Sequence, residues 1–206
     1  MEKFLIGTYY TKNTPYKEVF ESILKLSLME HELDYRVIET ESKGSWLKNT
    51  SLKPSIIYDL LKNIEPYESL VFLDADASIK KYPNLFYKIP TEFDMACHFL
   101  DWTLWYNSNT ERKELLTGTM FFRPKPKVFR LIEEWISLTE NSTKWEQLIL
   151  EELVKKSDIK IFNLPIEYCY LKTMPDGSEP RIKTIPVIEH EQISRKLKRI
   201  VKNGTV

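Results

Sequence analysis

Glycine is scarce in this sequence, with five in 206 residues. None falls in a Gly-x-Gly-x-x-Gly or Walker-type arrangement, so the glycine-rich phosphate cradles of dinucleotide-binding and P-loop proteins are absent. Cysteine is scarcer still. Cys97 and Cys169 are too few for a disulfide framework in a chain of this size, and a reducing, cytoplasmic setting is expected. Neither sign of charge is in excess: 30 Lys and Arg balance 30 Asp and Glu, so bulk electrostatics name neither nucleic acid nor an anionic membrane as partner. Apolar runs are only a few residues long, which argues against a transmembrane segment. The start, Met1 to Gly7, turns polar too soon to read as a signal peptide.

What the sequence does have is apolar and aromatic content, 42% and 13%, enough for the core of one globular domain and too much for a disordered chain. Its periodicity alternates between short extended runs and helical stretches. Residues 4–8 and 35–39 read as strands, and 70–73, a continuous apolar run, as a strand buried on both faces of a sheet. Between them, Thr14-Pro15 offers a cap and a first-turn proline to a helix carrying Val19, Phe20, Ile23 and Leu24. Lys53-Pro54 opens a second helix, with Ile56, Ile57, Leu60 and Leu61 on one face. That alternation predicts an α/β fold with a Rossmann-like, mostly parallel sheet flanked by helices. Beyond it, strands are expected at 94–97, 119–122, 159–162 and 184–188, and helices at 128–138 and 145–154. One domain is predicted over 1–206, ending in a basic tail over 191–206.

The chemistry concentrates at Asp74-Ala75-Asp76, directly after the central apolar strand. Ligands of open α/β sheets bind beyond the carboxyl ends of the strands. Two carboxylates there can share one Mg²⁺ or Mn²⁺ with substrate phosphates. Asp residues in a turn that only hydrogen-bond the backbone are the plain alternative. A haloacid-dehalogenase-like phosphatase, with Asp74 as nucleophile, is a sharper one. In such enzymes, however, the acidic pair follows the first strand, whereas here two strands and two helices precede it.

Five patches, spread over most of the chain, together resemble the GT-A nucleotide-diphospho-sugar transferases, in particular small bacterial and phage members with a D-x-D motif. They are Ile6-Gly7-Thr8-Tyr9; Lys53-Pro54-Ser55-Ile56-Ile57 before Val71 to Asp76; Asp94-Met95-Ala96 with Leu116 to Phe122; Trp145-Glu146-Gln147 with Leu164-Pro165; and Val187 to Arg195. The resemblance implies a single GT-A-like domain, with a nucleotide-binding half over 1–80 and a donor-sugar and acceptor half over 81–190. Such a domain moves a sugar from a nucleotide-diphosphate donor, a UDP-sugar by preference, to an acceptor the sequence leaves open: glycan, protein, small molecule or modified DNA. A non-catalytic module that binds nucleotide-sugars or glycans is the alternative.

It implies the site residue by residue. Thr8, Tyr9 and Tyr10, in the loop after the first strand, would hold the base, with Glu39 on base or ribose and Lys53 on base or diphosphate. Asp74, Asp76 and His190 would hold Mn²⁺ or Mg²⁺, with Asp74 also within reach of the ribose. Thr117 and Gly118 would form a close-approach turn at the sugar. Glu146 and Gln147 would sit at the donor sugar, although Thr143 to Glu146 also spells a capping box in which the glutamate merely bonds backbone. Ser194, Arg195 and Lys196 would grip the diphosphate, and residues 194–199 are a candidate lid. Asp101, like Glu146, is a candidate base, and His98 could face sugar or acceptor. Trp102, Trp105 and Tyr106 could form an acceptor platform, or could simply be core.

Overall fold

The computed structural model describes residues 3–140, 142–174 and 177–195. Chain order is β1 (Phe4–Thr11), α1 (Tyr16–Val19), a π-helical turn (Phe20–Leu24), α2 (Lys25–Glu30), β2 (Tyr35–Thr40), α3 (Trp46–Thr50), α4 (Lys53–Lys62), β3 (Ser69–Leu73) and β4 (Ala77–Ile79). There follow β5 (Met95–Asp101), α5 (Trp102–Tyr106), β6 (Lys113–Phe122), α6 (Pro126–Glu140), α7 (Glu146–Val154), β7 (Ile161–Asn163), β8 (Tyr170–Leu171) and β9 (Ile188–His190). Among the described residues no helix is long and apolar enough to cross a membrane.

Six strands form the central sheet in the order β2-β1-β3-β6-β5-β7. β1 pairs in parallel with β2 and β3, and β5 with β7. β6 runs antiparallel between β3 and β5. The sheet is mostly parallel, as the alternating pattern predicts. The reversed β6 has no signature in periodicity, because a strand buried on both faces reads alike in either direction.

Side chains alternate across β3, which explains the two cores. Leu70 and Phe72 pack on the face covered by α4, α6 and α7, with Ile57, Leu60, Ile132 and Trp135. Val71 and Leu73 point to the other face, where Phe20, Leu24 and Leu28 recur at helical spacing over residues 16–30. Gly7 is required by close approach: a Cβ there would stand 2.8 Å from both Leu60 Cδ1 and Leu70 Cδ1.

Several boundaries move. β1 extends to Thr11 because its ladder with β2 continues through Tyr10↔Glu39 and Thr11↔Thr40, so Thr8 to Tyr10 lie in a strand rather than a loop. The strand expected at 184–188 is displaced to β9, which pairs with β4 and β8 in a small second sheet. Thr117 and Gly118 lie within β6, not in a turn. Thr14 is not the cap residue of α1; Pro15 is, without a side-chain cap, although the Thr14 hydroxyl accepts from Tyr16 N at 3.4 Å.

Candidate functional site

A cavity of about 230 Å³ opens at the carboxyl ends of β1 and β3. Its floor is built around one buried cation. Lys53, in the first turn of α4, is 4% exposed and sends Nζ to Asp74 Oδ1 at 2.8 Å and to Glu146 Oε1 at 3.2 Å. It also donates to the Thr117 hydroxyl at 3.2 Å, and that hydroxyl in turn donates to Glu146 Oε1 at 3.2 Å. Burial alone would lower the Lys53 pKa, but the two carboxylates more than reverse this and hold the ammonium charged. Burial likewise pushes the Asp74 carboxyl above the usual range, and Lys53 offsets only part of that rise.

Glu146 is the first residue of α7, and its carboxylate faces the cavity floor rather than its own helix. No side chain caps α7, so the capping box suggested by Thr143 to Glu146 does not form. The backbone is anchored instead, since the indole of the fully buried Trp135 donates to the Glu146 carbonyl at 2.8 Å. Gln147 accepts from Thr117 N at 3.4 Å and donates to Glu114 at 2.7 Å.

The second acidic residue belongs to a different cluster. The small sheet pairs Ala77 with His190, which brings His190 beside Asp76. Asp76 Oδ1 lies 3.7 Å from His190 Nδ1, and Thr119 Oγ1 lies 2.9 Å from Nε2. Gln192 takes a left-handed backbone (φ 55°), and the segment it bends delivers two N–H groups to Asp76: Glu191 N to the carbonyl at 3.1 Å and Ile193 N to Oδ2 at 2.9 Å. Burial would raise Asp76, but its contacts with His190 and Ile193 N outweigh it and hold the carboxyl below the ordinary range. His190, 1% exposed, moves up to about 10: burial favours the neutral ring, but Cys169 and Asp76 outweigh it. Gly118 is explained by the same ring, because a Cβ there would lie 3.0–3.3 Å from three His190 ring atoms.

The donor set at Asp76 fits a hard divalent cation in part. Two donor atoms 3.7 Å apart can both reach an ion bound at about 2.1 Å. A ring nitrogen held by Thr119 leaves Nδ1 for a metal, the usual arrangement around a metal-binding histidine. Among the described residues no group of three or more His, Cys, Asp or Glu makes a complete metal centre, so a cation held there would need further ligands, such as phosphate oxygens and water. A cation at Nδ1 must displace the proton carried there, so binding it would release protons.

Of the expected site residues, Tyr9, Tyr10, Lys53, Asp74, Asp76, Thr117, Gly118, Glu146, Gln147, His190, Ser194 and Arg195 line this one cavity. Others do not. Thr8 is fully buried within β1, its hydroxyl without a partner among the described residues. Glu39 is exposed on β2 and accepts from the Tyr10 hydroxyl at 3.3 Å. Asp101 is not brought to the cavity: its carboxylate caps α5, accepting from Thr103 N at 2.9 Å and Leu104 N at 3.4 Å. His98 is also turned away, with Nδ1 on the Leu164 carbonyl at 2.8 Å. Lys196 and most of the candidate lid, residues 196–199, lie outside the described residues. The aromatic platform divides: Trp105 is core, Trp102 lies under the Arg112 guanidinium, and Tyr106 alone lines the cavity.

Sequence reasoning missed Tyr16, Trp46, Asn49 and Glu114, which also line the cavity. Trp46 carried a signal, being a large aromatic in the polar stretch 41–51. Glu114 carried none, since it sits on a strand expected to begin only at 119.

The chain matches the family model for nucleotide-diphospho-sugar transferases over residues 17–198. No curated protein sequence matches it significantly. Its fold is similar to a glycosyltransferase involved in glycosylation of the major capsid of PBCV-1: TM-score 0.66, 14% identity, 99% of this chain and 100% of that one covered. It is also similar to mouse xyloside xylosyltransferase 1, with TM-score 0.59, 10% identity and coverage of 95% and 99%. A third likeness is to the galactosyltransferase LgtC, solved with donor and acceptor sugar analogs: TM-score 0.56, 11% identity, coverage 90% and 86%. At such identities the likeness speaks for a GT-A-type fold alone, but the family match spans most of the sequence and displaces the phosphatase alternative. With residues 17–198 covered by that family's model, the chain belongs to the nucleotide-diphospho-sugar transferases.

Proposed function

We propose that this protein transfers a glycosyl group from a UDP-sugar to an acceptor hydroxyl, using a divalent cation, Mn²⁺ or Mg²⁺. The observation that carries the reading is the Asp76–His190 pair, held by Thr119 and by backbone N–H groups, in the same cavity as Lys53 and Glu146. Asp76 and His190 would hold the cation, and Asp74 lies on the same wall. When bound, the cation neutralises charge that grows on the departing diphosphate.

The chain's own residues do the rest. Arg195 and Ser194 also line the cavity and would meet the diphosphate, since a guanidinium matches phosphate oxygens. Arg195 uses Nη1 on the Thr173 carbonyl at 2.8 Å. Tyr9 to Thr11 and Tyr16 stand at the end of β1 and offer the base its surface. Glu146 and Gln147 face the sugar. Lys53 pairs with Glu146 and Asp74 and orients both, so Glu146 is placed to steady positive charge at the anomeric carbon or to accept the acceptor's proton. Asp101 has no place in this reading, being fixed as a helix cap outside the cavity.

Calorimetric titration of UDP with Mn²⁺, and again with EDTA, tests it, alongside Asp76→Ala. The expected result is binding with metal that weakens at least tenfold with EDTA or in the variant. Absence of binding by both UDP and GDP under either condition would end the transferase reading.

A further inference from the structure

Glu114 lines the cavity but contacts neither Lys53 nor the Asp76–His190 pair directly. It stands half-buried on β6, and both of its oxygens are taken up. Oε1 accepts from the Gln147 carboxamide nitrogen and Oε2 from the Trp102 indole N–H, each at 2.7 Å. With its nitrogen so held, the Gln147 amide turns its oxygen to Thr117, whose N–H and hydroxyl both lie 3.4 Å away. The same hydroxyl donates to Glu146, and Lys53 reaches the hydroxyl, Glu146 and Asp74. A continuous run of polar contacts therefore leads from Trp102 to Asp74. Trp102 is its fixed end. Its backbone N–H donates to the Arg112 carbonyl at 2.9 Å, its ring lies 4.6 Å from the Arg112 guanidinium, and the helix it opens is capped by Asp101.

We propose that Glu114 is a positioning residue for the donor sugar: it holds the Gln147 carboxamide in one of its two orientations and so fixes the hydrogen-bonding groups that Gln147 presents to the glycosyl unit. The inference rests on the glycosyl-transfer reading above. An indole nitrogen only donates, a carboxylate only accepts, and a carboxamide does either according to which way it is turned. Only a side chain with two acceptors at position 114 can serve both the indole and the Gln147 nitrogen. Glu114→Gln keeps the size and shape but exchanges one acceptor for a donor. Because Trp102 cannot accept, the new amide must give its oxygen to the indole and its nitrogen to Gln147. Gln147 can answer only by flipping, and its own nitrogen then meets the Thr117 N–H donor to donor. Removing the indole N–H with Trp102→Phe frees the new amide to turn its oxygen toward Gln147, and the original orientation returns. A role in packing or in bulk charge alone gives no such rescue.

The test measures UDP release by the full-length protein with Mn²⁺ from UDP-glucose, UDP-galactose, UDP-N-acetylglucosamine and UDP-xylose, with UDP affinity followed by calorimetry. On the best of the four, Glu114→Gln should lower kcat/KM about tenfold or more, the scale of one lost hydrogen bond to a charged group. UDP affinity should stay within twofold and far-UV circular dichroism unchanged. The double variant Glu114→Gln, Trp102→Phe should be at least threefold more active than Glu114→Gln alone. In nitrogen-15-labelled protein the side-chain amide signals of Gln147, assigned by their loss in Gln147→Met, should move in the single variant and return in the double one. Unchanged turnover in Glu114→Gln, or a double variant no better than the single, overturns the inference. So does a single variant that weakens UDP as much as it slows release, which would tie Glu114 to Arg195 through the Tyr106 hydroxyl instead. UDP binding without release from any of the four donors overturns it as well, since the nucleotide site would stand with no sugar for Gln147 to meet. Failure of both UDP and GDP to bind the unaltered protein is a different result: it removes the transferase reading and this inference with it.

Discussion

Replacing Lys53 by methionine keeps most of the side chain's volume and removes its charge. Asp74 Oδ1 and Glu146 Oε1, now 2.8 Å and 3.2 Å from the ammonium, would then face each other without a counter-ion. Breaking a buried ion pair from one side costs about 3–5 kcal/mol, because the charge left behind stays desolvated. Two features hold the cost toward the lower end here. Asp74 is 37% exposed, so water screens part of the repulsion. A carboxyl can also escape by taking up a proton, which for an aspartate of ordinary pKa costs at most about 4 kcal/mol at pH 7. A loss of about 2–4 kcal/mol follows, or roughly 5–15 °C in melting temperature for a domain of this size.

The pH dependence identifies the cause. Asp74 is already raised by burial, and losing Lys53 raises it further. An acid whose folded pKa lies above its unfolded value binds more protons when folded, so stability falls as pH rises through that window. The deficit of Lys53→Met against the unaltered protein should therefore shrink as pH is lowered from 7 toward about 4, where aspartate ordinarily titrates. Thermal unfolding followed by circular dichroism between those limits measures both quantities. A melting shift under about 2 °C, or a larger one that ignores pH, would refute the view of Lys53 as the counter-ion of this floor.

Three further outcomes can be checked independently. Glu146→Gln keeps a hydrogen-bonding group beside Thr117 but removes the charge, and should lower donor turnover about a hundredfold, or ~2.7 kcal/mol of barrier, in a coupled UDP-release assay; turnover within a few-fold would remove Glu146 from the chemistry. Gly118→Ala must push the His190 ring, and should weaken metal-dependent UDP binding in calorimetry while costing about 1–3 kcal/mol of stability from overpacking; unchanged binding would mean that the ring has room to move. Asp94 is 1% exposed and held below its ordinary pKa: burial acts upward, but Lys127, Lys160 N and Lys125 outweigh it. Its stabilisation is therefore complete above the unfolded pKa, near 3.9, and is lost as pH falls through the folded value. The stability gap between the unaltered protein and Asp94→Asn, read by urea unfolding, should be constant at neutral pH and close under acid; a gap that widens there would contradict the assignment.

Much of the fold was legible because its signals are local. The apolar run at Leu70 to Leu73 and the helical spacing of Val19, Phe20, Ile23 and Leu24 need no partner to be recognised. The acidic pair was legible for the same reason, sitting at the end of that run. What stayed hidden depends on contacts distant in sequence. The carboxylates of Glu146 and Asp74 meet only through Lys53, and the two Asp residues divide between Lys53 and His190 although one residue separates them. Asp101 misled because an Asp that ends a strand near a site and an Asp that caps the next helix look identical until the chain is folded. Thr117 and Gly118 were placed in a turn for want of a signal that β6 starts at Lys113. Trp46 stands out only by composition, since a lone aromatic in a polar segment fits no period and names no partner.

The segment after β9 gives Asp76 two backbone N–H groups, one on its carbonyl and one on its carboxylate. Attachment of that segment and orientation of a candidate metal ligand thus share the same two contacts. Reciprocity then fixes a quantitative relation: if cation and nucleotide tighten the segment's attachment by some factor, the attached segment tightens cation and nucleotide by that same factor. A stretch of chain so arranged would compete and cooperate like a ligand of the candidate site, were it to detach.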